Sequence, residues 1–321
     1  INVPSAIVKK TGSERSADRM DDTSYIYESC TLCPRGCRVD RRKARGFCGQ
    51  SDAVRVARYQ KHMWEEPCIS GSRGSGTVFF SGCTLKCVFC QNYEVSRGMG
   101  TDISAERLAG IFMELKEQGV HNISLVTGTH FIPGIKKALD ICGDRLDLPV
   151  VFNCGGYEDA GVMRQLEKYV DIYIPDLKYK DPAMSLRYSS CADYYDRAIE
   201  GIGEMLRQVP RVQLDGDGVM RRGIIIRHLV LPGGYRDSIS ILEGIAENFG
   251  TKGFLLSLMS QYTPMPSCAA YPEINRRITT LEYRRVSERA LELGFDGYFQ
   301  ERSSSNETYI PPFGENDVKP G

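Results

Sequence analysis

Short apolar runs, rich in β-branched and aromatic residues, recur along the chain at 77–80, 122–127, 149–154, 170–175, 223–231 and 253–259. Runs of this length and composition predict six strands. Between them apolar positions return at helical spacing. Leu108, Ile111, Phe112 and Leu115 follow the candidate cap Ser104, and Ile135, Leu139 and Cys142 follow the next strand. Val162 and Leu166 come after the third, and Ala198, Ile199, Ile202, Met205 and Leu206 after the fourth. Ile239, Leu242, Ile245 and Ala246, then Tyr283, Val286, Ala290 and Leu293, complete the series. Such alternation calls for parallel strands joined by right-handed crossovers and buried on both faces, so a stretch such as Ile224 to Ile226 need not alternate with polar residues. Six repeats are too few for a closed eight-stranded barrel. The pattern therefore predicts an α/β fold built as a partial (β/α)6 barrel, with an open doubly wound sheet as runner-up; in both, chemistry gathers at the carboxyl ends of the strands.

The polar stretch 1–24 reads as a mobile lead-in, 25–66 as a cysteine-rich metal module, 67–300 as the αβ core and 301–321 as a tail. Lys and Arg number 41 and Asp and Glu 41, so no global field draws the molecule to a polyanion or an anionic membrane. No run of apolar residues is long enough to span a bilayer. Eight charged residues of both signs lie in the first 22, with no apolar run behind them, which leads to the expectation of a cytoplasmic protein.

Seven of the 12 cysteines fall into two groups, Cys30, Cys33, Cys37 and Cys48, then Cys83, Cys87 and Cys90. In a reducing compartment such grouping reads as metal or redox chemistry before disulfides. The second group stands in SGCTLKCVFCQN, directly after the first predicted strand, with Phe89 and Asn92 alongside. Three thiolates are one fewer than an ordinary iron–sulfur cluster takes, which leaves one iron open; zinc with a fourth ligand, a His or the nearby Cys68, is the alternative. The first group has the count and knuckle spacing of a closed tetrathiolate site, and spacing does not separate zinc, a mononuclear iron and a second [4Fe-4S] cluster. Nine Lys or Arg against two Asp between positions 35 and 61 surround it. That basic excess fits compensation of an anionic centre, and its meagre aromatic interleaving argues against nucleic-acid binding.

CTLKCVFC matches the C-x3-C-x-aromatic-C signature, and the chain resembles the radical S-adenosylmethionine (SAM) superfamily, in the branch related to pyruvate formate-lyase activating enzyme. The likeness runs on through VTGTHFIP, VFNCGGYE, DIYIPDLKY, IIIRHLVLPGG and LSLMSQYTPM. The resemblance implies an enzyme, an oxidoreductase. Its [4Fe-4S] cluster, held by Cys83, Cys87 and Cys90, would reductively cleave SAM to a 5'-deoxyadenosyl radical that abstracts hydrogen from a substrate, a protein or peptide in the activating enzymes. It further implies cofactor or substrate contacts from Phe89, Asn92, Thr127, Gly128, Thr129, His130, Asn153, Asp176, Lys178 and Arg227. At 127–130 the sequence reads Thr-Gly-Thr-His where the activating enzymes usually show Gly-Gly-Glu-Pro. Arg227, in an otherwise apolar strand, is the expected partner of a carboxylate. An electron donor such as flavodoxin or ferredoxin completes the implied partners. The competing class is a non-enzymatic iron–sulfur sensor or adaptor.

Overall fold

The computed structural model describes residues 24–300, so the tail expected at 301–321 and all of the lead-in before Ser24 lie outside the described residues. Ten strands share one sheet: β1 Val54–His62, β2 Ser75–Phe80, β3 Thr101–Ile103, β4 Ile123–Val126, β5 Val150–Cys154, β6 Ile172–Pro175, β7 Gln213–Leu214, β8 Met220–Leu229, β9 Leu255–Met259 and β10 Gly297–Phe299. Their order is β10-β9-β8-β6-β5-β4-β2-β1-β3, with β7 added to β8. All pairs from β2 to β10 along this path are parallel, whereas β1 pairs antiparallel with both β2 and β3. The sheet does not close, and the parallel strands form a partial barrel.

Each of the six apolar runs forms a parallel strand. A seventh, β10, is only Gly-Tyr-Phe and carries too little pattern to be seen in sequence. One boundary needs correction. Residues 54–62, assigned above to the cysteine-rich module, are β1 and belong to the sheet. VRVARYQKH hides this because β1 is buried on one face only and keeps its basic residues on the other.

The helices are α1 Ser24–Glu28, α2 Pro67–Ser70, α3 Tyr93–Ser96, α4 Ala105–Glu117, α5 Ile132–Cys142, α6 Ala160–Arg164, α7 Pro182–Ser189, α8 Tyr194–Gln208, α9 Tyr235–Phe249 and α10 Thr280–Leu293. Helix α4 begins where Ser104 accepts from the Arg107 amide at 3.1 Å, as the sequence predicts. At α10 a full capping box joins Thr279 and Glu282, and Gly294 ends the helix in the left-handed region.

Strand side chains alternate between the helices outside and the barrel interior within. Ahead of their carboxyl ends, β5, β6 and β8 send Val151, Ile172, Ile174 and Ile225 inward, where Cys68 and Ile69 of α2 meet them. One turn of helix between β1 and β2 thus fills the apolar half of the interior. At the carboxyl ends the same inward positions become Asn153, Asp176 and Arg227.

Truncating the wholly buried Ile225 to Ala is expected to cost about 2–5 kcal/mol through lost contacts and an unfilled cavity. Denaturant unfolding checks this. The midpoint should fall with an unchanged slope, and a wild-type midpoint would mean that this layer does not carry the core.

Candidate active site at the carboxyl ends of the strands

The loop that leaves β2 doubles back at once. Gly82 has φ +79°, and a Cβ there would stand 2.6 Å from the carbonyl oxygen of Cys48, so only glycine permits the approach. Beyond it Cys83, Cys87 and Cys90 all face one cavity of about 250 Å³. The amide of Leu85 donates to Cys83 Sγ at 3.3 Å, and Ser189 Oγ donates to Cys87 Sγ at 3.0 Å. Phe89 anchors the loop, its ring 5.9 Å from that of Tyr262 and 6.3 Å from that of Tyr179. Burial pushes the Cys90 thiol up to about 12, so coordination rather than ionisation in water is what would make it a thiolate.

Among the described residues no three His, Cys, Asp or Glu side chains converge closely enough to hold a single metal ion. A cubane makes no such demand, because each thiolate binds a different iron. Three thiols on one short loop, lining one cavity, with Cys83 and Cys87 already accepting hydrogen bonds at sulfur, fit a [4Fe-4S] cluster with one iron left to an external ligand.

Opposite the thiols lies a charged floor. Arg227 donates from Nε to Asp176 Oδ1 at 3.1 Å, from one terminal nitrogen to Glu65 Oε2 at 3.2 Å and from the other to Asn153 Oδ1 at 2.6 Å. Lys178 Nζ donates to Asp176 Oδ2 at 2.6 Å. Burial would raise the Asp176 pKa, but the Lys178 ammonium and the Arg227 guanidinium together hold it below the ordinary carboxylate range. Glu65 goes the other way, pushed up by burial and by the Asp176 charge despite Arg227. Two carboxyl groups share one guanidinium, and only the one with a second cation is held below the ordinary range. Arg227 was expected to be the partner of a carboxylate; here its carboxylates are Asp176 and Glu65 of the protein itself, and it shapes the floor.

The structure brings most of the expected residues to this cavity. Phe89, Asn92, Asn153, Asp176, Lys178 and Arg227 line it, as do Thr127 and Thr129. Gly128 and His130 do not. Thr127 takes φ +60° and the chain then makes a single 3₁₀ turn. A Cβ on Gly128 would meet Ile135 at 2.7 Å, and His130 turns away to donate from Nε2 to the Ser81 carbonyl at 2.7 Å. Burial lowers the His130 pKa to about 3, so the ring is neutral and structural.

Two acids were missed. Glu65 follows β1 and Glu158 follows β5 in the quoted VFNCGGYE, where each looks like an ordinary loop acid. Glu158 is 1% exposed, lines the cavity, and leaves Oε2 without a hydrogen-bond partner. Burial pushes its pKa up to about 8, against the stabilising hydrogen bonds of Thr129 and Cys154. The other four cysteines sit on two turns beside the loop, Cys48 directly against Gly82.

A family profile described as the Radical SAM superfamily matches residues 77–213. An uncharacterized protein of Methanocaldococcus jannaschii is 28% identical over 290 residues, 87% of this chain and 79% of that protein. Among solved structures, Streptococcus suis SuiB bound to S-adenosylmethionine aligns with TM-score 0.48 and 17% identity, over 68% of this chain and 48% of that one. Methylornithine synthase (PylB) aligns with TM-score 0.48 and 15% identity, over 68% and 62%. The chain thus spans about half the length of SuiB and under two thirds of PylB.

Replacing Arg227 by Met leaves Asp176 and Glu65 buried without their shared cation and is expected to cost about 3–5 kcal/mol in unfolding free energy. Adding Glu65→Gln should recover part of that loss; a strictly additive double variant would mean that the two side chains are not coupled. Glu158 supplies a pH test. The folded chain keeps its proton up to about pH 8, while the unfolded chain releases it near the ordinary 4.5. Between those values the native state binds more protons, so stability falls as pH rises. Glu158→Gln has no such proton and should lose less stability than wild type between about pH 6 and pH 8, read from urea midpoints; parallel curves would contradict the buried-carboxyl account.

Proposed function

From the radical SAM domain that this chain carries over residues 77–213, we propose an enzyme of the activating-enzyme type that removes a hydrogen atom from a protein or peptide. What a [4Fe-4S] cluster and SAM supply when bound is one-electron reductive cleavage of the sulfonium carbon–sulfur bond and the hydrogen abstraction that follows. The observation that carries the reading is the single cavity with three thiols on one wall and a charged floor on the other.

The chain's own residues hold, aim and shield. Cys83, Cys87 and Cys90 would hold the cluster and leave one of its irons to an external ligand. Lys178, whose only hydrogen-bonded carboxylate is Asp176, offers positive charge to an anionic group of the ligand. Glu158 and Thr129, on the wall beside β5, face a cationic one. Glu158 holds a proton in the empty cavity, and an ammonium or sulfonium placed near it would favour its ionised form. Apolar Phe79, Val126, Leu229 and Leu231 exclude water and competing hydrogen donors from the remaining wall.

A second cavity of about 550 Å³ adjoins the first across Glu65 and Arg227 and supports a large substrate. Its wall includes Gly297 to Gln300, and among the described residues no strand pairs beyond β10. An end strand of this kind offers backbone donors and acceptors to an extended peptide. A low-potential donor such as flavodoxin or ferredoxin would supply the electron. Among the described residues no helix is long and apolar enough to cross a membrane.

Anaerobic reconstitution, followed by incubation with SAM and a strong one-electron reductant, tests the proposal. Wild-type protein should release 5'-deoxyadenosine, detected chromatographically, and Cys87→Ala should release none. A wild-type preparation with its full iron complement that leaves SAM intact would favour the sensor or adaptor class.

A further inference from the structure

Arg41 is the largest wholly buried side chain among the described residues, and it makes no ion pair with any of their carboxylates. Its guanidinium donates to the backbone carbonyls of Gln50 at 3.3 Å, of Ser51 and of His130. It lies 4.7 Å from the ring centre of Tyr27 and 5.5 Å from that of Phe131. One further contact is to sulfur, Cys30 Sγ at 4.0 Å. Guanidinium stays protonated in proteins, and a buried charge requires a counter-charge that carbonyl dipoles and rings solvate but do not supply. Burial holds the neighbouring Tyr27 phenol neutral, which leaves the thiols of Cys30 and Cys48 as the groups beside Arg41 that can become anionic.

Those thiols are arranged as a ligand set. The chain folds back over Cys30, Cys33 and Cys37, with the Cys30 amide donating to Val39 at 3.1 Å and the Arg38 amide to Cys30 at 3.0 Å. Gly36 at φ +48° and Arg38 at φ +52° make this tight turn. A second turn, in which the Gly49 amide donates to Gly46 at 2.9 Å, presents Cys48 to the first. A Cβ on Gly46 would stand 2.8 Å from Cys37 Sγ, so glycine lets the second turn reach that sulfur. We propose that Cys30, Cys33, Cys37 and Cys48, which no single ion could gather, hold a second [4Fe-4S] cluster with one thiolate to each iron, and that Arg41 is the interior cation that balances it. An oxidised [4Fe-4S] cluster bound by four thiolates carries a net charge of about minus two. Binding releases the four thiol protons to solvent.

A second arginine fixes where this centre sits. Arg35 stacks on Phe47, 3.9 Å from its ring centre, and donates to the carbonyls of Thr84 at 2.9 Å and Ser189 at 2.8 Å. Thr84 lies within the three-cysteine loop, and Ser189 donates to Cys87. The proposed centre therefore abuts the first site without sharing a ligand with it.

Metal per chain, measured on the full chain as isolated and after anaerobic loading with iron and sulfide, decides the matter. Wild type should carry about four irons at the three-cysteine loop plus a second complement of about four more. Cys33→Ala and Cys37→Ala should lose the second complement and keep the first, and Cys87→Ala should do the reverse. Cys37 is exposed, so its replacement leaves the fold intact. Arg41→Leu should release the second metal to a chelator with an affinity weakened about 10-fold to 100-fold. A wild type holding only about four irons overturns the proposal, as does a Cys37→Ala protein with undiminished iron. Loss of iron from Cys87→Ala failing to appear would count instead against the three-cysteine site.

Discussion

The Arg227 guanidinium joins four segments that are otherwise held only by their neighbours in the sheet. Glu65 follows β1, Asn153 is on β5, Asp176 follows β6 and Arg227 is on β8. An unclosed barrel lacks the ring of hydrogen bonds that fixes a closed one. Here a charge inside the barrel crosses the gap, linking Glu65 on one side of the interior to β8 on the other. The network adds little net stability, since desolvating these ions offsets much of their attraction, but it penalises any arrangement that separates them. What it specifies is the shape of a cavity floor.

That floor divides the interior by chemistry. On the amino side Val151, Ile172, Ile174 and Ile225 pack against α2; on the carboxyl side one cavity holds thiols, two cations and three acids. The acids differ because their neighbours differ. Asp176, with Lys178 and Arg227, carries charge; Glu158, with only Thr129 and Cys154 to hydrogen-bond, retains a proton up to about pH 8. A site that offers a fixed ammonium at one end and an acid ready to ionise at the other suits a ligand carrying both signs of charge, as an amino-acid sulfonium does.

How much of this was readable in the sequence follows from which residues announce themselves. The six parallel strands are buried on both faces, and burial writes itself as unbroken apolar runs. The three-cysteine spacing and the polar residues at strand ends were equally visible, since a Lys or Arg beside a buried strand has few other uses. β1 was hidden because its solvent face is basic and next to a basic cysteine-rich stretch. His130 and Gly128 were misplaced because a one-turn 3₁₀ segment after Thr127 rotates alternate residues away from the cavity, and no side-chain pattern encodes that rotation. Glu65 and Glu158 were missed for the opposite reason. A buried acid in a loop has the same letter as an exposed one, and only its surroundings reveal the difference.

The cysteine-rich stretch is likewise part of the core's geometry. Its backbone meets the loop after β2 at Gly82, where a side chain would strike Cys48 and Gln50, and its chain runs directly into β1. Arg41 reaches the carbonyl of His130, next to Thr129 on the cavity wall, and Arg35 reaches the loop that carries the three thiols. Shifting either turn of the stretch would therefore move two walls of the cavity together. An independent appendage would need a flexible joint, and the strand pairing of β1 with β2 leaves no room for one.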